Sequence, residues 1–125
     1  MTVVVDPDIL IEVFRARNAD VLAKWTELSG SDAVVLYTPV SVAEIWAGAR
    51  PNENAALTDL FAALKSTPID EEAGRQAGAY LRKYRLSHGV GIADALIAAC
   101  AVANKAELWT RNRKHYPMPD LSFFD

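Results

Sequence analysis

The sequence predicts an α/β protein, a three-layer α/β/α sandwich around a mainly parallel central sheet. Three observations lead there. Short apolar runs, Val3-Val4-Val5 and Ala33-Val34-Val35-Leu36-Tyr37, have the length and β-branched content of buried strands. Each is followed by a segment whose apolar residues recur at helical spacing, and strands alternating with helices imply parallel pairing through crossovers. The stretch from Ile92 to Asn104 is apolar nearly all round after Asp94, as in a helix packed deep against a sheet.

In chain order, Val3 to Val5 forms the first strand and stops at Asp6. Pro7 suits a first helical position, and Ile9, Leu10, Val13 and Phe14 share one helical face. Val21, Leu22, Trp25 and Leu28 mark a second helix, closed by Ser29-Gly30-Ser31. The second strand, Ala33 to Tyr37, is broken by Thr38-Pro39-Val40. Ser41 and Glu44 then stand at capping-box spacing at the start of a third helix.

After the loop Arg50-Pro51-Asn52, the stripe Leu57, Leu60, Phe61 and Leu64 predicts a fourth helix, and Thr67-Pro68-Ile69-Asp70 suits a short edge strand. A long helix begins at Glu71, with Ala73, Ala77, Tyr80, Leu81 and Tyr84 facing the core; Gly74 and Gly78 on it suit close helix packing. Ser87 to Gly91 reads as a connection. Beyond the Ile92 helix, Ala106 to Thr110 is a strand, Arg111 to His115 a polar loop, and Leu121 to Phe124 a final edge strand.

With 125 residues the chain has the size of one domain, residues 1–125, without internal repeat or low-complexity segment. A composition 51% hydrophobic and 23% charged excludes disordered and collagen-like classes. The apolar start is broken by Asp6 and lacks a basic flank, so neither a signal peptide nor a membrane span is expected, and the expected location is cytoplasmic. Cys100 has no partner cysteine, consistent with a reducing compartment. The net charge of −3 argues against nucleic-acid binding, although acids gathered in one site lower the total while basic residues elsewhere still meet phosphate.

The acids are the informative residues. Asp6 and Glu44 follow predicted parallel strands, and Asp94 opens a helix on the same sheet, so all three can face the rim where open parallel sheets bind ligands. Each also has a structural explanation: a cap for Asp6, a capping box for Glu44, a dipole partner for Asp94. Carboxylates crowded on one rim raise one another's pKa unless a cation neutralises them, and oxygen-only ligands suit Mg²⁺ or Mn²⁺. No His-x-x-x-His or Cys-x-x-Cys pair argues for zinc.

Four stretches, Val5 to Glu12, Thr38 to Glu44, Gly91 to Ala99 and Leu108 to Asn112, resemble in order the motifs of PIN-domain ribonucleases, and most closely those of VapC toxins from toxin–antitoxin pairs. The resemblance spans essentially the whole chain and implies metal-dependent RNA hydrolysis. Asp6 and Asp94 match the family's main metal-binding aspartates, Glu44 its acid after the second strand, Asn112 a polar site position, and Asp8 a supporting one. Where members often carry a further acid this chain has His115 before Tyr116, so a second ion is expected to be held weakly or recruited with substrate. The resemblance also implies a cognate antitoxin that obstructs the acidic groove, and a homodimer; the helices of Val13-Phe14 and Leu57-Phe61 are candidate contact surfaces.

Thr110 or Asn112 is placed to position water or a phosphate oxygen, and Arg111, Arg113, Lys114 and His115 to bind RNA phosphates, the alternative being a solvated loop. Arg75, Arg82, Lys83 and Arg85 read as a solvated helix face, and Trp25, Trp46 and Trp109 as core. Two rival functions remain at this point. Asp6-Pro7-Asp8 after a strand also begins phosphatases of the haloacid dehalogenase type, with Asp6 as nucleophile. A catalytically silent PIN-fold binding module is the other.

Overall fold

The computed structural model describes residues 1–125. Its strands are β1 Thr2–Val5, β2 Val34–Tyr37, β3 Lys65–Ser66, β4 Glu107–Trp109 and β5 Ser122–Phe123. Its helices are α1 Pro7–Arg15, α2 Ala19–Ser29, α3 Pro39–Ala47, α4 Asn54–Ala62, α5 Glu71–His88 and α6 Ile92–Ala103. The sheet order is β3-β2-β1-β4-β5, and every pairing is parallel.

β1 lies at the centre because it is the strand apolar on both faces. Val3 and Val5 point into one core with Ile9, Leu10, Ile45, Leu57, Phe61 and Trp109, while Val4 points into the other with Tyr80, Ile97, Ala98 and Leu108. All three valines are fully buried, and at roughly 1.5–3 kcal/mol for each such side chain they anchor both layers. α1, α2 and α4 cover the first face and the α5–α6 pair the second. Leaving β1 the chain builds β2 and β3 on one side, then returns to build β4 and β5 on the other. The order therefore reverses between β1 and β4, and a crevice forms outside strand ends at such a switch.

Several local expectations shift. α3 starts at Pro39, not Ser41: proline supplies the first helical φ and the Thr38 hydroxyl accepts the Ser41 N–H at 3.4 Å. Ser41 is thus inside the helix, buried with its hydroxyl unpaired, and no Ser41–Glu44 capping box exists. The edge strand is Lys65–Ser66, just before the Thr67–Asp70 stretch, because Pro68 has no N–H for the ladder. Asp70 instead caps α5, accepting the Ala73 N–H at 2.9 Å. α5 runs through His88 and stops at Gly89, whose φ of 65° is the left-handed conformation that favours glycine. Gly74 and Gly78 do not mediate helix packing, since both are exposed and a Cβ on either would meet nothing within 4 Å. Trp109 is buried and Trp25 stacks on it at 6.2 Å, so both belong to the core. No helix is long and apolar enough to cross a membrane.

Candidate active site

Asp6 leaves β1 with its N–H still on the sheet ladder, bonded to the Trp109 carbonyl at 2.9 Å. It occupies the N-cap position of α1, yet its side chain caps nothing. One carboxylate oxygen, Oδ2, instead accepts two hydroxyls from the far end of the chain, Thr110 at 2.6 Å and Tyr116 at 3.0 Å. The residue is only 7% exposed. Burial pushes its pKa up to about 7, with the charges of Asp8 and Asp94 acting the same way and the two hydroxyls opposing them.

The other acids converge on the same rim. Asp94 sits in the first turn of α6, where Gly91 at the N-cap has no side chain to bond the helix end. Burial raises its pKa, while His115, whose Nδ1 is 3.8 Å from Oδ2, the Tyr116 hydroxyl and the Gly91 backbone lower it. Glu44 projects from the exposed side of α3, and its pKa is raised by desolvation and then by the charge of Asp94. With Thr38 doing the capping, Glu44 is free to face another acid.

Asp8 and Asn112 form the second tie across the crevice. Asp8 Oδ2 accepts the Arg111 N–H and the Asn112 side-chain amide, both at 3.0 Å. The Asn112 N–H donates to the Thr110 hydroxyl at 3.0 Å, so the loop after β4 is stitched to the turn after β1 at two points. Asp8 Oδ1 is buried without a hydrogen-bond partner, and burial raises this carboxyl's pKa too.

The residues expected to contact substrate separate into different roles. Thr110 is buried and its hydroxyl is committed to Asp6, which corrects its assignment as a contact for water or phosphate. Arg113 is corrected as well: its guanidinium turns to the C-terminus, bonding the Phe124 carbonyl at 3.2 Å and the Asp125 carboxylate and lying 4.9 Å over the Phe123 ring. Arg111 pairs with Glu12 at 3.2 Å but stays half exposed, and Lys114 is exposed with no ion pair. Tyr116, buried and bonded to Asp6, was not singled out by sequence reasoning. Its only signal is a tyrosine directly before Pro117 at the end of the polar loop.

The donor set fits a hard divalent cation. Asp6, Asp8, Glu44 and Asp94 supply oxygen ligands; burial raises the proton affinity of each, and neighbouring carboxylates add to it at Asp6 and Glu44, a penalty that a bound cation reverses. In both Asp6 and Asp8 the protein's side-chain and loop donors go to Oδ2. As the side chains stand, no three of Asp, Glu, His and Cys enclose one point.

The family model described as PIN domain matches residues 3–121. Ribonuclease VapC10 of Mycobacterium tuberculosis is 35% identical over 117 residues, covering 93% of this chain and 86% of its own. Ribonuclease VapC19 of the same organism is 35% identical over 119 residues, covering 94% of each chain. A toxin–antitoxin complex from Klebsiella pneumoniae contains a chain that superimposes with a TM-score of 0.73 at 21% identity, over 95% of this chain and 94% of that one. At that identity the superposition speaks to the fold.

Proposed function

This chain belongs to the PIN-domain family, and from that premise we propose that it is a metal-dependent endoribonuclease serving as the toxin of a toxin–antitoxin pair. Membership sets aside the phosphatase reading of Asp6-Pro7-Asp8. The observation that carries the proposal is that Asp94, opening α6, lies near enough to both Asp6 and Glu44 at the carboxyl end of the sheet for its charge to act on each.

In this reading Asp6, Asp94 and Glu44 hold the cation, Mg²⁺ or Mn²⁺. When bound, it supplies Lewis acidity, lowering the pKa of water and offsetting charge that develops on the phosphate. Thr110 keeps Asp6 oriented through its bond to Oδ2. Asn112 does the same for Asp8, and so serves the site through a neighbouring carboxylate. Arg111 and Lys114, exposed at the rim, draw the RNA backbone in without reading bases.

The partner is an antitoxin, in keeping with the toxin–antitoxin complex that shares the fold. Leu57 and Phe61 are core residues and do not offer it a surface. Ile11, Phe14 and Ile45 do line a groove of about 80 Å³ between α1 and α3, with Glu44 on its edge, and a chain lying there covers an acid of the site. The toxin is expected to act as a homodimer.

The test is cleavage of defined transfer, ribosomal and messenger RNAs by purified antitoxin-free protein in Mg²⁺, Mn²⁺ or EDTA, beside Asp6→Asn and Asp94→Asn. Metal-dependent cleavage lost in both variants is the expected result. Intact RNA across the panel would leave the silent binding module as the better reading.

A further inference from the structure

The last two turns of α5 carry a charge pattern that core packing does not require. Between Glu72 and Asp94 the chain has Arg75, Arg82, Lys83 and Arg85 and no carboxylate, in a protein whose net charge is −3. Arg75 is neutralised by Glu71 and Glu72 at 3.0 and 2.9 Å. Arg82, Lys83 and Arg85 are exposed and form no ion pair, so their mutual repulsion is uncompensated. Lys83 lies over the Tyr84 ring at 5.4 Å, which orients its charge without neutralising it. The helix dipole favours cations in the final turn, where Arg85 and His88 stand, but it falls off before Arg82 and Lys83. Two large aliphatic side chains lie beside these cations: Leu86 is 99% exposed and Ile92, which opens α6, 67%. Arg82, Arg85 and Leu86 share one helical face by their spacing. Residues 89–91 alone join α5 to α6, and the two helices pack along each other, so the end of α5 lies next to the start of α6. With a rise of 1.5 Å per residue and axes 8–10 Å apart, the backbones of Arg82 and Arg85 are roughly 10–15 Å from that of Asp94.

We propose that this strip is a docking surface for single-stranded RNA, on which Arg82, Lys83 and Arg85 take phosphates beside the cut and Leu86 and Ile92 take an unstacked base. The inference rests on the nuclease reading, and its residues are separate from Arg111 and Lys114, which follow β4. Charge selects a polyanion. Exposed aliphatic surface selects one whose bases are free, because a base released from a duplex can bury apolar area that a paired one keeps stacked inside.

The test measures binding of a fluorescent single-stranded RNA of about 16 nucleotides to the full chain in EDTA, by anisotropy at several salt concentrations. Arg82→Gln, Lys83→Gln and Arg85→Gln combined keep good helix formers on an exposed face, so the fold is retained. The log–log slope of affinity against salt is expected to fall by about 2, at about 0.7 for each phosphate contact. Arg82→Lys with Arg85→Lys is expected to keep the native slope, since these contacts need the charge alone. Leu86→Ser is expected to weaken single-stranded RNA while leaving the slope, and the binding of a duplex of the same length, unchanged. In Mg²⁺ or Mn²⁺ the triple variant is expected to show a raised KM for the RNA with kcat held. A native slope and a native KM in the triple variant, while the native protein cleaves RNA, would overturn the docking strip and leave the nuclease reading intact. Unchanged RNA binding with weakened assembly with the antitoxin would also overturn it, assigning the strip to an acidic protein. A native protein that neither binds nor cuts RNA would overturn both readings.

Discussion

Replacing Asp6 with asparagine should abolish metal-dependent activity and, in the metal-free protein, raise stability. Asp6 is nearly buried, and its pKa rises from 3.8 to about 7 on folding. The folded chain therefore binds this proton more tightly than the unfolded chain does. Native stability falls as pH rises from about 4 through 7 and then levels off, because only in that window does the native state carry the extra proton. At about 1.36 kcal/mol per pH unit, the charged carboxylate costs the native state about 4 kcal/mol at pH 8 and about 2 kcal/mol at pH 5. Asparagine has no charge to desolvate, and its carbonyl oxygen can still accept the Thr110 and Tyr116 hydroxyls. The advantage of Asp6→Asn over the native protein should thus grow by about 2–3 kcal/mol between pH 5 and pH 8. Urea unfolding of both proteins in EDTA at several pH values measures this difference, in which any pH-independent effect of the substitution cancels. Parallel stability–pH curves for the two proteins would refute the account of Asp6 as a buried acid strained by its neighbours. Saturating Mg²⁺ should close the gap, since it stabilises only the protein that keeps the carboxylate.

Gly74→Ala and Gly78→Ala should each stabilise the protein by about 0.5–1 kcal/mol in urea unfolding, because both are exposed interior positions of α5 and an added methyl meets open space. Lys114→Ala should weaken RNA binding and make it less salt-dependent, by about 0.7 in the log–log slope for a single-stranded RNA. Arg113→Ala should leave that slope unchanged and instead loosen the C-terminal strand, seen as faster amide exchange at Phe123 and Phe124.

Much of the fold was legible in local pattern. A strand buried on both faces needs a continuous apolar run, so Val3 to Val5 declared itself, as did the Ile92 helix. Boundaries were less secure where two signals competed. Ser41 and Glu44 have the spacing of a capping box, but Thr38-Pro39 upstream offers a better start and took it. The Asp6 and Glu44 caps that a sequence allows are absent, and both side chains face the site instead.

What the sequence determined by itself is therefore the alternation of strand and helix, the central strand, and the placement of Asp6 at a strand end and Asp94 at a helix start. These follow from periodicity and turn chemistry within a few residues. Only the tertiary structure decided that Thr110 and Tyr116, 104 and 110 residues from Asp6, donate to its carboxylate, and that Asn112 serves Asp8. It also decided that Arg113 turns to the C-terminus while Lys114 stays free. Those partners depend on β4 lying beside β1 and on β5 closing the edge. A hydrogen bond between distant residues is set by which strands become neighbours, and no local window of the chain contains that information.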